Sequence, residues 1–364
     1  MKMFVNILLY FYFMLCILIL LYTVSFTFND IYSEYISKRN VSGWKKLISV
    51  QIINIVKGKS VEKEFLGKLR KDLLHGKKLM NFHHALESFD RNQIEFQIFL
   101  DQLEECMKDM AVNYGTKDSM EKAYFANFYS CFSRGKWIDE KFLYIFIDYL
   151  DGSNVYVREN VLQAIYSSGK IEWILRILGI FTDYEWFHHS KLIGDGLFKF
   201  NGDKKKLSLV LWSHRKEYSL SIYLGIIQFI TLSSEDFQEK MLQTAMNEHE
   251  DMEIRLGAIR YLSKYPYKPA EEILFGYLLH KHHEFQLRVV AARALGRYDS
   301  KETIEVLKEG LSDPNWYVRF NACESLIELK VNLMNLKEII LGDDKYARDI
   351  LLYRINKGRE NIHV

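Results

Sequence analysis

The chain is 364 residues long, 49% apolar and 26% charged, which suits a packed core and excludes a disordered or collagen-like polymer. Its four cysteines, Cys16, Cys106, Cys131 and Cys323, stand far apart with no C-x-x-C, so a disulfide scaffold and a cysteine-rich zinc module are excluded and a reducing compartment is expected. The net charge of +2 conceals an asymmetry, because residues 30–80 carry 12 Lys/Arg against 5 Asp/Glu whereas residues 81–364 carry 36 against 42. A body that acidic argues against a nucleic-acid partner, which needs a basic stripe along the phosphates.

The first element is apolar. No charged side chain occurs between Met3 and Asn29, and Phe4 to Phe26 is almost wholly Leu, Ile, Phe, Tyr, Val and Met. About 20 such residues cross a bilayer as a helix, so residues 1–29 are expected to form one transmembrane helix. A cleavable signal has a shorter apolar region ending in small residues, and this run is too long and ends Thr-Val-Ser-Phe-Thr-Phe. Lys2 alone precedes the span, while Lys38, Arg39, Lys45 and Lys46 follow it. The Lys/Arg bias therefore predicts a single-pass protein of the cell membrane with the bulk of the chain cytoplasmic.

Residues 30–59 read as a basic juxtamembrane amphipathic segment. Trp44, Leu47, Ile48, Ile52 and Ile55 share a helical face, with Lys45, Lys46, Lys57 and Lys59 beside it. Two uses fit that pattern: the helix lies at the headgroup level of an anionic leaflet, or its apolar face packs as the first core layer. Residues 60–118 show no repeat and are read as a helical cap, with Ile94, Phe96, Ile98, Phe99, Leu103 and Met107 as candidate core inside a helical pattern from Phe82 to Met110.

From residue 119 to 360 the chain repeats itself. An apolar column with members four and eight positions apart recurs as Val157/Val161/Ile165, Ser190/Gly194/Phe198, Ser221/Gly225/Phe229, Ile254/Ala258/Leu262, Leu287/Ala291/Leu295, Val318/Ala322/Leu326 and Ala347/Leu351/Ile355. The starts are 33, 31, 33, 33, 31 and 29 residues apart, and Tyr124/Phe128/Phe132 fits one step earlier. A steady period of this size predicts stacked helix pairs, because one helical hairpin cannot bury its own apolar face.

The segments Leu311-Ser-Asp-Pro-Asn-Trp-Tyr-Val-Arg-Phe-Asn-Ala-Cys-Glu-Ser-Leu326 and Gln286-Leu-Arg-Val-Val-Ala-Ala-Arg-Ala-Leu-Gly296 resemble HEAT repeats of the short bacterial type. The resemblance is good at Arg255, Arg288 and Arg319, fair at Arg158 and Arg348, and weak near residues 190 and 221. It implies an all-α fold, a right-handed α-α superhelix (HEAT-like solenoid) preceded by the transmembrane helix. It also implies that the arginine after each column start pairs with an acidic residue of the turn between helices. Asp313 suits Arg319 in that way and is placed to cap the helix ahead of Pro314, whereas His282 and His249 stand at the equivalent places before Arg288 and Arg255.

Signatures of catalysis are missing: there is no G-x-S-x-G, no phosphate-binding G-x-x-x-x-G-K and no G-x-G-x-x-G after a strand. His83-His84, His188-His189 and His280 to His283 lack the spacing of a metal site, and Gly194 and Gly196 read as helix-packing glycines. The run Glu248, Glu250, Asp251 and Glu253 reads as a negative first turn matched to the helix dipole. No catalytic, cofactor-binding or metal-ligating residue is assigned, and the chain is expected not to be an enzyme. The alternative is a HEAT-like-repeat enzyme or nucleic-acid-binding protein of the DNA glycosylase type.

The position two residues after each column start is apolar in five consecutive units: Leu192, Tyr223, Leu256, Val289 and Phe320. Either tight stacking covers this row, or it forms an exposed ridge flanked by Arg260, Arg293 and Glu324 that binds a partner. The expected function is a membrane-anchored cytoplasmic scaffold or adaptor that binds another, membrane-associated protein and meets the lipid bilayer through its N-terminal helix and basic segment. The resemblance suggests a component of a cell-envelope complex, such as a membrane glycosyltransferase, as the partner.

Overall fold

The structure, a computed structural model, describes residues 2–133 and 135–360. Every regular element among the described residues is helical, and the chain divides into two compact units, residues 1–168 and 169–364. The first unit holds α1 (Lys2–Val56), α2 (Lys63–Asp72), α3 (Gly76–Leu86), α4 (Ile94–Asp101), α5 (Glu104–Tyr114), α6 (Ser119–Phe132), α7 (Glu140–Tyr149) and α8 (Val155–Ser167). The second holds α9 (Ile171–Asp183), α10 (Ser190–Phe198), α11 (Lys204–His214), α12 (Leu220–Ser233), α13 (Gln238–Met246), α14 (Met252–Lys264), α15 (Lys268–Leu279), α16 (Phe285–Leu295), α17 (Lys301–Gly310), α18 (Trp316–Glu328), α19 (Lys337–Leu341) and α20 (Lys345–Glu360).

The first helix settles the choice left open for residues 30–59. It runs unbroken for 55 residues, roughly 80 Å, because nothing between Asn29 and Ser42 is a glycine or proline. Trp44, Ile48, Ile52 and Ile55 are buried, and α1 packs on α3 and α4. The Trp44 ring meets Phe82 edge-on at 5.2 Å, the Gln51 amide donates to Glu62 Oε2 at 3.0 Å, and Ser37 donates to Asn81 at 2.7 Å. Of the two uses, the core packing is the one observed for this face, while the lysines beside it and Val50, Ile53 and Val56 reach solvent.

Residues 60–118 fold as four short helices rather than one long pattern. Phe96, Phe99, Leu103 and Met107 are buried as expected, but Ile94 is 71% exposed and Ile98 lies on the solvent side. The break at residues 87–93 resets the helical phase, so a period counted across it misplaces both isoleucines.

Within each unit the column helices stack on one another: α6 on α8 in the first, and α10, α12, α14, α16, α18 and α20 in succession in the second. Phe128, Val161, Phe229, Ala258, Ala291, Ala322 and Leu351 are fully covered. In α10 the register differs from the sequence pattern: Phe198 is exposed, and Ile193 and Leu197, one position earlier, fill the core. Gly194 itself is buried, and the slip is confined to Phe198 at the end of the helix. A Cβ on Gly194 would stand 3.0 Å from the Gly225 carbonyl oxygen, and one on Gly225 would stand 2.7 Å from Ile193 Cβ, so α10 and α12 touch almost backbone to backbone. The packing role expected of Gly194 is thus met, with Gly225 as its counterpart.

The buried arginines are also rearranged. Arg288 Nε donates to Asp313 Oδ2 at 2.9 Å, so the carboxylate expected to serve Arg319 belongs to the arginine one repeat earlier. Arg319 instead donates to the Asp313 and Pro314 carbonyls at 2.7 and 3.0 Å. Asn315, not Asp313, caps α18, accepting from the Tyr317 amide at 2.9 Å. Arg255, with no turn carboxylate, donates to the Ala245 carbonyl at 3.0 Å. Asp251 of the acidic run caps α14, accepting from the Glu253 amide at 2.8 Å.

His83 of α3 is buried among Phe128 and Phe132, with Nδ1 2.9 Å from the Tyr124 hydroxyl. Burial holds its imidazole below the ordinary value, and the Glu87 carboxylate opposes that only in part. Because the folded-state pKa lies below the unfolded one, the stabilisation is whole above about pH 6.5 and is lost as pH falls through that value toward the folded one. Urea unfolding at pH 7.5 and pH 5 should show this loss, and His83→Gln should reduce the difference. An unchanged difference would place the pH sensitivity elsewhere.

Candidate membrane helix and interaction surface

Two surfaces stand out from the packed body. The first is the N-terminal part of α1, whose most apolar window has a mean hydropathy of 2.2 and no part buried. By length and composition this helix can cross a membrane. Its uncharged stretch ends at Asn29, and the exposed Ile31, Tyr32, Tyr35 and Ile36 that follow are interleaved with Asp30 and Glu34 ahead of Lys38 and Arg39.

The second surface lies in the second unit, and only part of it was visible in the sequence. The row at Leu192, Tyr223, Leu256, Val289 and Phe320 is not one continuous ridge. Tyr223 and Leu256 are buried, Val289 and Phe320 are half-buried, and only Leu192 is exposed. Tyr223 is drawn inward by Trp212, which it meets edge-on at 6.4 Å, and its hydroxyl accepts from Arg215 at 3.1 Å. The flanking charges are engaged with neighbours: Arg293 pairs with Glu328 at 2.6 Å, Glu324 with Arg354, and Arg260 reaches Glu253 at 4.0 Å.

What is exposed stands in the first turns of α12, α16, α18 and α20. Leu220, Phe285, Trp316, Tyr317 and Tyr346 all present large apolar area, with Trp316 52% exposed. Trp316 stacks on Phe320 at 5.1 Å, Arg354 lies 5.5 Å from the Phe320 ring, and Arg319 lies 5.3 Å from that of Tyr346. The signal was available: Phe285 precedes Val289, and Trp316 precedes Phe320, by four residues on the same helical face. At the α9–α10 end this edge runs into a cavity of about 430 Å³ lined by Thr182, Trp186, Phe187, His189, Leu220 and Leu224.

No cluster of three or more His, Cys, Asp or Glu side chains among the described residues has the arrangement of a metal site. The His282 and His283 rings approach to 4.3 Å in the turn before α16, and burial holds the His283 imidazole below its ordinary value.

Residues 274–352 match the family of HEAT repeats. That segment takes in α16 to α19 whole, the region where the columns and arginines are most regular, and the fold is an all-α HEAT-like solenoid. No curated protein matches the chain. Among solved structures, human deoxyhypusine hydroxylase in complex with glycerol is similar at 15% identity and a TM-score of 0.29, over 80% of this chain and 95% of that one. That neighbour is an enzyme by name, so the expectation that this chain is not an enzyme is withdrawn. At that TM-score the likeness carries no residue and no reaction across to this chain.

Proposed function

We propose that this chain is a membrane-held platform of HEAT-like repeats that binds a protein partner at the same membrane. In this reading α1 spans the bilayer, residues 30–364 face the cytoplasm, residues 60–118 cap the repeats, and the first-turn edge of the second unit is the docking surface. A membrane enzyme of the cell envelope, such as a glycosyltransferase, is the class of partner suggested by the sequence resemblance. The observation that carries the reading is the exposed cluster of Trp316, Tyr317 and Tyr346 beside Arg319 and Arg354. Trp, Tyr and Arg dominate binding energy at protein interfaces, and leaving such area in water has no use in a stack whose core is already closed.

The test has two arms. Protease added to intact cells should leave residues 30–364 uncut, and permeabilisation should expose them. In mild detergent the wild type should retain a stoichiometric membrane protein. The exposed pair Trp316→Ser with Tyr346→Ser should weaken that retention by about 30-fold or more, at roughly 2 kcal/mol for an aromatic anchor, with stability unchanged within about 0.5 kcal/mol for surface positions. Full retention by the variant removes this edge from the interface, and cleavage from outside the cell reverses the orientation.

A further inference from the structure

We infer that the outward face of α1 pairs with a helix of a partner protein, one that is apolar toward both ends and acidic between them. Trp44, Ile48, Ile52 and Ile55 turn one face of α1 into the core against α3 and α4. The opposite face carries Phe28, Tyr32 and Tyr35 toward one end and Ile53 and Val56 toward the other, each more than half exposed. Between these clusters it carries Arg39, Ser42, Lys46 and Ser49. Steps of four and three alternate without a break through all nine positions. That is a period of about 3.5 residues, the seam by which one long helix packs along another. A Cβ added at Gly43, beside the seam, would meet nothing within 4 Å. Apolar area ordered along a line and left in water marks a contact surface.

Charge chooses the occupant. Arg39 and Lys46 stand within the seam, and Lys38 and Lys45 border it. The two carboxylates between residues 28 and 56, Asp30 and Glu34, lie off the seam, and Glu34 takes the Lys38 ammonium at 2.6 Å. Among the described residues no carboxylate pairs with Arg39 or Lys46. A second copy of α1 running the same way would set Arg39 on Arg39 and Lys46 on Lys46, and one running the opposite way in full overlap would bring Arg39 against Lys46. Like charges exclude both. A helix with Asp or Glu at those two places neutralises the middle of the seam, and apolar residues toward its ends cover the two clusters, whose centres stand about 30 Å apart along the axis. This inference rests on the platform reading and adds to it the shape and charge of the partner segment that α1 receives.

Photo-crosslinking of the full chain in intact cells is the test, with benzoylphenylalanine in place of Tyr35 or of Ile53. Both positions should capture one protein other than this chain, and the same group in place of Ser33 or Asn40, off the seam, should capture about a tenth as much or less. The captured peptide should be helical in pattern, with Asp or Glu at the places that face Arg39 and Lys46. Arg39→Glu with Lys46→Glu should cut the yield about tenfold or more. Arg39→Lys with Lys46→Arg should keep it, and Lys at the partner's two acidic places should restore it to the Glu variant, which separates charge from folding. Capture of a second copy, of lipid, or of a segment without acidic residues overturns the proposal, as does equal capture on and off the seam. A wild type that retains its membrane protein in detergent but gives no crosslink from the seam overturns the pairing and leaves the platform standing. A wild type that neither retains a protein nor crosslinks one defeats both.

Discussion

Arg288→Ala should lower stability by about 3 to 5 kcal/mol, the cost of leaving a buried charge without its partner. For a unit of the size of residues 169–364 that is a fall in melting temperature of roughly 6 to 20 °C. Both side chains are almost fully out of water, 8% exposed for Arg288 and 4% for Asp313, so solvent cannot replace the lost donor. The guanidinium also serves the His283 carbonyl, so the substitution frees a turn acceptor as well. Arg288→Met combined with Asp313→Leu should recover much of the loss, because a buried pair replaced by apolar groups of similar volume is often no less stable. Calorimetry on the two variants decides the matter: an Arg288→Ala protein that melts with the wild type would show that the pair contributes nothing.

Gly225→Ala should destabilise and Gly179→Ala should stabilise, although both exchange a helical glycine for the best helix former. The propensity gain is about 1 kcal/mol in each. At Gly179, on α9, nothing lies within 4 Å of the added methyl, so that gain stands. At Gly225 the methyl would come within 2.7 Å of Ile193 Cβ and 3.1 Å of the Ser190 carbonyl oxygen. Ile193 is branched at Cβ and cannot swing aside, and the oxygen belongs to the backbone. Overpacking of about 1 to 3 kcal/mol adds to the propensity term with opposite sign, and the net change is a loss. Melting curves of the two variants that moved in the same direction would contradict the close approach of α10 and α12.

These two sites also show what could be read from the sequence and what could not. The column was legible wherever Ala or Leu repeated at four and eight, because one helix face going out of water leaves its period in the chain. In α10 the last member slipped, because Phe198 ends the helix and stands in solvent while Leu197 fills the core, whereas Phe229 after Gly225 was read correctly. The identity of the arginine partner was not legible, since Asp313 meets Arg288 across the stack of repeats and sequence spacing within a unit points to Arg319. The exposed aromatics at Trp316, Tyr317 and Tyr346 sat outside the column, so a search aimed at the core passed over them, although a step of four from Phe320 reaches Trp316. The continuity of α1 was legible in what residues 30–42 lack, and a change of composition at Asn29 was taken for a change of element.

That continuity gives α1 the mechanics of a mast rather than a tether. A flexible leash lets a domain wander and turn above its anchor, but α1 enters the packing of the first unit at Trp44 without a joint. Any tilt of the apolar half therefore becomes a tilt of that unit. From Asn29 to Trp44 the rise is about 22 Å, which sets the height at which Trp44 stands above the apolar segment. One residue inserted after Ile36 would lift the first unit by about 1.5 Å and swing it through about 100° about the helix axis. The heading of that unit about the helix axis is thus written in the number of residues between the apolar segment and the core.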